Sequence, residues 1–191
     1  MKKISFIISF LFLIQVIDAQ VYKTIIPGAE FSESLSKIVL DFRNNFQNIK
    51  GKSVPKEVGT DLSESLITLP GSVDNYISTS HSVKDRTASF QSIMYRGTDY
   101  NKAVKIYNNT FKQIKKTRVR WIDKSLSNFI GKIEKPDGLT FTTSYLKVEI
   151  SDPRYDDFVT EVALVNSNFD NWEVQVNILH KKLDIEIAPD N

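Results

Sequence analysis

A strand that leads directly into a helix, between Ala88 and Lys116, constrains the fold of this chain more than any other stretch. Ala88 to Arg96 predicts a strand, and Gly97-Thr98-Asp99 interrupts it. The helix that follows carries its apolar side chains at the spacing of a 3.6-residue period. These residues are Tyr100, Ala103, Val104, Tyr107, Phe111 and Ile114. Asp99 or Thr98 is placed to cap the free amides of the first turn.

A second amphipathic helix is predicted nearer the start of the chain, from Glu30 to Lys50. Pro27-Gly28 precedes it, and Gly51 follows where a left-handed residue would close it. Seven apolar residues form its stripe: Phe31, Leu35, Ile38, Val39, Phe42, Phe46 and Ile49. A helix with one apolar face needs a partner surface, and a sheet is the expected partner.

The chain between the two helices predicts a hairpin and a loop. Lys52 to Thr60 is polar, with Pro55 and Gly59, and is typical of a surface loop. Two strands, Leu62 to Leu69 and Val73 to Ser80, flank the turn residues Pro70-Gly71-Ser72. We therefore expect an antiparallel hairpin ahead of the strand that begins at Ala88.

The C-terminal part is rich in strand patterns. Val119 and Trp121 predict a short strand, and Asp123 to Gly138 predicts a partly buried excursion with one helical turn. Three longer strands are predicted after it: Leu139 to Ile150, Phe158 to Val165, and Trp172 to Ile178. In the first of these the apolar face switches near Tyr145, which indicates a bulge or bend. Leu183, Ile185 and Ile187 alternate again, as a final edge strand or a tail.

These patterns predict an α+β fold. Two amphipathic helices are expected to pack on one face of a mainly antiparallel sheet, in the order α-β-β-β-α-β-β-β. The chain has 191 residues, which suits a leader followed by one domain.

The first twenty residues predict an export signal. Lys2 and Lys3 precede an almost wholly apolar run of about eleven residues, which is too short to cross a bilayer. We expect cleavage after Ala19 or Gln20, leaving a single α+β domain over residues 20–191 with a polar C-terminal tail, and no transmembrane segment. An uncleaved N-terminal anchor is the alternative. Localisation is therefore predicted to be periplasmic or extracellular.

Charge and composition argue against several kinds of partner and cofactor. The formal net charge is +2, and about +1 without the leader, so no long-range field would attract nucleic acid. The chain has no cysteine, and its two histidines, His81 and His180, lack metal-ligand spacing. Asn166, Asn168 and Asp170 begin like a calcium loop, but the glycine and the glutamate that such a loop needs are missing. We predict neither a metal nor another cofactor.

No catalytic motif is present. There is no nucleophile beside a positioned base and no phosphate-binding loop at a helix start. Glu161 lies in an apolar strand, where burial would raise the pKa of its carboxyl, so Glu161 with Asp157 represents the alternative of a hydrolase with dispersed acids. Exposure of Glu161 to water is the competing interpretation.

The favoured hypothesis is a non-enzymatic exported domain that binds a protein partner or a small ligand in the cell envelope. The predicted surface is a groove between a helix and the bent strand. Its candidate residues are Tyr107, Trp121, Phe141, Tyr145 and Trp172, although aromatic residues at these periods also suit a core. Neither the partner nor the oligomeric state follows from the sequence.

Overall fold

The computed structural model describes residues 27–55, 60–80, 87–138, 141–167 and 171–181. The predicted leader, His81, part of the calcium-like cluster and the strand pattern from Leu183 lie outside these ranges. Within them the chain forms two helices: α1 (Ala29–Phe42) and α2 (Tyr100–Lys116). The strands are β1 (Lys50–Val54), β2 (Thr60–Ser65), β3 (Asp74–Ser80), β4 (Ala88–Gly97), β5 (Arg118–Arg120), β6 (Leu126–Gly131), β7 (Phe141–Val148), β8 (Phe158–Asn166) and β9 (Trp172–His180). A 3-10 turn (Pro153–Tyr155) joins β7 to β8.

The described strands form one sheet in the order β1-β2-β3-β4-β9-β8-β7-β6-β5, and each neighbouring pair is antiparallel. The predicted α+β class and the mainly antiparallel sheet are therefore confirmed. The element order differs from the prediction, because four of the described strands precede α2 and five follow it. β4 pairs with β9 in the middle of the sheet. This pairing joins the strands before α2, β1 to β4, to the strands after it, β5 to β9.

The segment from Ala88 to Lys116 forms as predicted. β4 ends at Gly97, and the Asp99 carboxylate accepts a hydrogen bond from the amide of Lys102 at 3.0 Å. Lys115 and Lys116 occupy the last turn of α2, where the helix dipole favours cations. Local capping and a change of hydrophobic period therefore suffice to specify this unit.

Helix α1 ends at Phe42, well before the predicted end at Lys50. The buried Asp41 carboxylate accepts hydrogen bonds from the Asn44 side chain at 2.9 Å and from the Asn48 amide at 3.0 Å. Asn45 and Phe46 adopt positive φ angles of 55° and 57°. The chain therefore turns back, while the predicted apolar stripe still reaches the core, with Phe46 wholly buried.

Three other sequence predictions are wrong. Lys50–Val54 is an edge strand, although a loop was expected from Lys52. Leu126–Gly131 is a strand that pairs with β5 and β7, where a helical turn was expected. The pairing of β7 with β8 runs without a register shift from Phe141 to Leu146, so no bulge occurs at Tyr145. Ser144 and Leu146 are both buried, so the same side of β7 faces the core at both positions. The apolar pattern in the sequence switches only because Ser144, a small polar residue, occupies one of these core positions.

One hydrophobic cluster joins side chains of both helices to the sheet. On β9 the inward residues Val174, Val176 and Ile178 are fully buried and alternate with half-buried polar residues. Fully buried Tyr107 of α2 donates a hydrogen bond to the carbonyl of Glu134 at 3.1 Å, and its hydroxyl also bonds to that of Ser144. Burial raises the pKa of Tyr107. None of the described helices is long and apolar enough to span a bilayer.

Candidate functional site

A cleft opens at the C-terminal end of α1. The β5–β6 hairpin forms one side of it, and the segment that joins β7 to β8 forms the other. We call it the hairpin cleft, with a volume of about 1040 Å³. Its apolar wall consists of Leu40, Trp121, Ile122, Leu126, Ile150 and Pro153. Its polar side includes Arg43, Asp123, Glu149, Asp152 and Arg154.

A smaller cavity of about 330 Å³ adjoins the hairpin cleft, and we call it the side pocket. Leu40, Arg43 and Ile122 line both cavities. The side pocket adds Asn48 and Ile67, from the chain that follows α1 and from the β2–β3 connection. The two cavities therefore adjoin at Arg43, and we call them together the groove.

Trp121 is held firmly in the wall of the hairpin cleft. Its indole Nε1 donates a hydrogen bond to Ser127 Oγ at 2.8 Å, and its ring meets Tyr155 edge-on with 5.0 Å between centroids. Tyr155 is buried, and its hydroxyl donates to the carbonyl of Val39 in α1 at 3.2 Å. Burial raises the pKa of the Tyr155 hydroxyl. An aromatic side chain fixed on two sides offers contact area at little cost in side-chain entropy.

The turn between β5 and β6 presents two apolar side chains to water beside Trp121. The turn closes with a hydrogen bond from the amide of Trp121 to the carbonyl of Ser125 at 2.9 Å, and Asp123 accepts from the amide of Ser125 at 2.9 Å. Ile122 is 72% exposed and Leu126 is 51% exposed. Full burial of a side chain of this size contributes roughly 1.5–3 kcal/mol, so a partner that covers Ile122 and Leu126 would gain binding free energy.

The arginines at the polar side differ in their partners. The Arg154 guanidinium donates to both carboxylate oxygens of Asp152, at 2.9 Å and 3.0 Å from Nε. These bonds and the backbone amide of Arg154 lower the pKa of Asp152 to about 2, and the charge of Arg43 contributes less. Arg43 itself is exposed and makes no hydrogen bond or ion pair with the described residues. Glu149 is also exposed at the rim.

The structure does not bring the five predicted aromatic residues into one groove. Trp121 alone lines the hairpin cleft, and Tyr107 is fully buried in the core. Trp172 packs on Tyr100 with 4.7 Å between ring centroids. Tyr145 accepts a hydrogen bond from Lys181 at 2.9 Å, and Phe141, four residues before it on β7, is 66% exposed. Ligand binding by these residues stays a prediction.

Glu161 lies in the interior of the sheet, on β8, with its side chain 17% exposed. It accepts a hydrogen bond from Asn177 at 3.0 Å, and Lys181 lies 3.7 Å from its other oxygen. Asp157 precedes β8 and is four residues from Glu161, so about 13 Å of strand separates their Cα atoms. Carboxylate pairs of glycosidases lie about 5–9.5 Å apart. The geometry thus gives this pair no support, and its catalytic role stays a prediction.

Sequence reasoning missed Arg43, Ile122 and Leu126. The available signal was the turn itself, because turns usually carry Gly, Pro, Asn and Asp, whereas this one has apolar residues on both sides of Asp123-Lys124-Ser125. Among the described residues, no group of three or more His, Cys, Asp or Glu side chains is placed to hold a metal ion.

Comparison with protein-family models, with curated proteins and with solved structures gave no match. The site is therefore defined by its own geometry.

Proposed function

We propose that this chain is an exported, non-enzymatic binding domain that holds an apolar segment of a partner protein in the hairpin cleft. One observation carries the proposal: the exposed pair Ile122 and Leu126 lies beside a rigid tryptophan in a cleft of about 1040 Å³. Exposed apolar side chains grouped at a concave surface are typical of interaction sites.

The shape of the cleft favours a protein segment over a small ligand. Its wall is built from three separate parts of the chain, and the side pocket extends it past Arg43. Two open, adjoining cavities suit a chain segment better than a compact molecule, which is usually enclosed on most sides.

Export is the second part of the proposal, and the sequence from Met1 to Ala19 supports it. The mature protein is then periplasmic or extracellular and begins at Gln20 or Val21. The proposal also takes both helices to cover the same face of the sheet. Support comes from the single hydrophobic cluster that contains Leu35 of α1 and Ile114 of α2 together with the inward residues of β9.

Site-specific photocrosslinking tests the cleft directly. The full chain is produced in its own host with Ile122→p-benzoylphenylalanine, and irradiated cells are analysed by mass spectrometry. The control places the same photoreactive residue at Val73, which is 57% exposed but lines neither cavity of the groove. We expect a defined protein adduct from position 122 and none from position 73.

Three results would contradict the proposal. Equal adducts from both positions would mean that the contact is not specific to the cleft. An adduct with the mass of a small molecule would replace the protein partner by a ligand. No adduct at position 122 in cells that export the protein would remove the cleft as the site.

A further inference from the structure

Arg43 occupies the point where the hairpin cleft meets the side pocket. It immediately follows α1, and Leu40 and Ile122 accompany it in both cavities. A cation after a helix C-terminus is favoured by the helix dipole alone. That effect explains the charge, but it does not require a position between two apolar walls.

Most other charged groups around Arg43 already have partners, and the exception is the exposed Glu149 at the rim of the hairpin cleft. Asp41 accepts from Asn48 Nδ2 at 2.6 Å, and Lys37 pairs with Glu33 at 2.7 Å. Asp152 is held by Arg154, as described above. Among the described residues Arg43 has no such partner, so its planar donors are free to bind a carboxylate in the two-pronged geometry that arginine favours.

We infer that the bound segment carries an internal aspartate or glutamate whose carboxylate pairs with Arg43, with apolar side chains on both sides of it. The acid is internal because Arg43 lines both adjoining cavities, so the chain can place residues in each of them. Apolar neighbours of the acid then cover Ile122 and Leu126 on one side and Ile67 on the other. This inference rests on the proposed function and specifies its partner.

Selection from a displayed library of random twelve-residue peptides tests the inference with the mature protein as bait. We expect the wild type to enrich peptides with Asp or Glu between apolar residues, and Arg43→Glu to lose that enrichment. A synthetic peptide from the selection should bind at least about tenfold more weakly when its acid is replaced by the amide. Against Arg43→Gln the same replacement should change affinity less than about twofold, because the carboxylate then has no partner.

Arg118→Glu is the matched control, since it makes the same charge change at an exposed residue of β5 that lines neither cavity. Affinity should stay within about twofold of the wild type. Thermal melting of Arg118→Glu should match the wild type, because Arg118 is exposed. Arg43→Glu should melt only a few degrees lower, because it replaces a cation that the dipole of α1 favours.

A second variant, Ile122→Ser, separates the inference from the proposed function. Peptides that lose affinity with Ile122→Ser but bind Arg43→Glu as well as the wild type would overturn the inference and leave the cleft as the site. Selected peptides without acids would do the same. Failure to obtain any peptide that depends on Ile122 would overturn both.

Discussion

A buried hydroxyl in the middle of the sheet gives the sharpest test of the packing. Thr160 of β8 is fully buried, and its Oγ1 has no hydrogen-bond partner in the described part of the chain. Its cross-strand neighbours are Ile178 on β9 and Leu146 on β7, both fully buried. The Thr160 side chain therefore lies between apolar core residues of the two neighbouring strands.

Thr160→Val replaces this hydroxyl by a methyl group of similar shape and keeps the β-branched side chain. Burying an unpaired hydroxyl costs about 1–3 kcal/mol in proteins, so removing it should raise the free energy of unfolding by about that amount. For a domain of this size each kcal/mol raises the melting temperature by about 2–4 °C. Both quantities are measured by urea denaturation and calorimetry of the protein.

Thr117→Val is the matched control. Thr117 is as deeply buried as Thr160, but its Oγ1 donates to the carbonyl of Gln113 at 2.9 Å. The same substitution should therefore lower the free energy of unfolding by about 0.5–1.5 kcal/mol. If Thr160→Val also lowers it, with an unchanged urea slope, the Thr160 hydroxyl is satisfied and the reasoning is wrong.

Three further predictions concern the backbone, the cleft and the core. A Cβ on Gly131 would overlap the carbonyl oxygen of Tyr145 and lie 3.0 Å from Leu146 Cα, so Gly131→Ala should lower the free energy of unfolding by about 1–3 kcal/mol in urea denaturation. Gly28 has open space around it but is the N-cap of α1, so Gly28→Ala should cost no more than about 1 kcal/mol, the difference between the two residues as caps. The Asp152 carboxyl should titrate by NMR with a pKa of about 2. Its contribution to stability is therefore present above pH 3.8 and lost as the pH falls towards 2. A pKa near 3.8 in the wild type, or no rise of the Asp152 pKa in Arg154→Ala, would contradict the pairing. Burial raises the pKa of Tyr107 above its ordinary value of 10.0, so its contribution to stability is present below pH 10 and lost at higher pH. The loss of stability that calorimetry measures at alkaline pH should therefore be smaller in Tyr107→Phe.

The sequence was most informative where structure is decided locally. The helix that starts at Tyr100 has a capping Asp99, a single apolar stripe and lysines in its last turn, and its predicted bounds are confirmed. The end of α1 was missed because the apolar spacing continues past Phe42 to Ile49. What ends the helix is the set of bonds to Asp41, a buried carboxylate that periodicity treats as one more polar residue.

The edge strand β1 was missed for a different reason, whereas the short strand at the other edge, β5, was predicted from Val119 and Trp121. A strand at the edge needs no continuous apolar face, since one side of its backbone and much of its side-chain surface meet water. β1 contains two lysines and a serine among five residues, so composition favoured a loop. Its identity depends on pairing with β2, which is a tertiary contact and leaves no local signature.

The same argument explains why the candidate site could be predicted only in part. Trp121 was proposed for its chemistry, but the residues around it come from distant segments: Arg43 follows α1, and Ile150 lies between β7 and β8. They meet because β5 pairs with β6 and β6 with β7, which carries the hairpin turn across the sheet edge to the end of α1. A groove that depends on the order of strands has no motif in the chain. The sequence indicates this groove only through Ile122 and Leu126. These two apolar side chains are exposed, so they do not contribute to the core of the isolated domain.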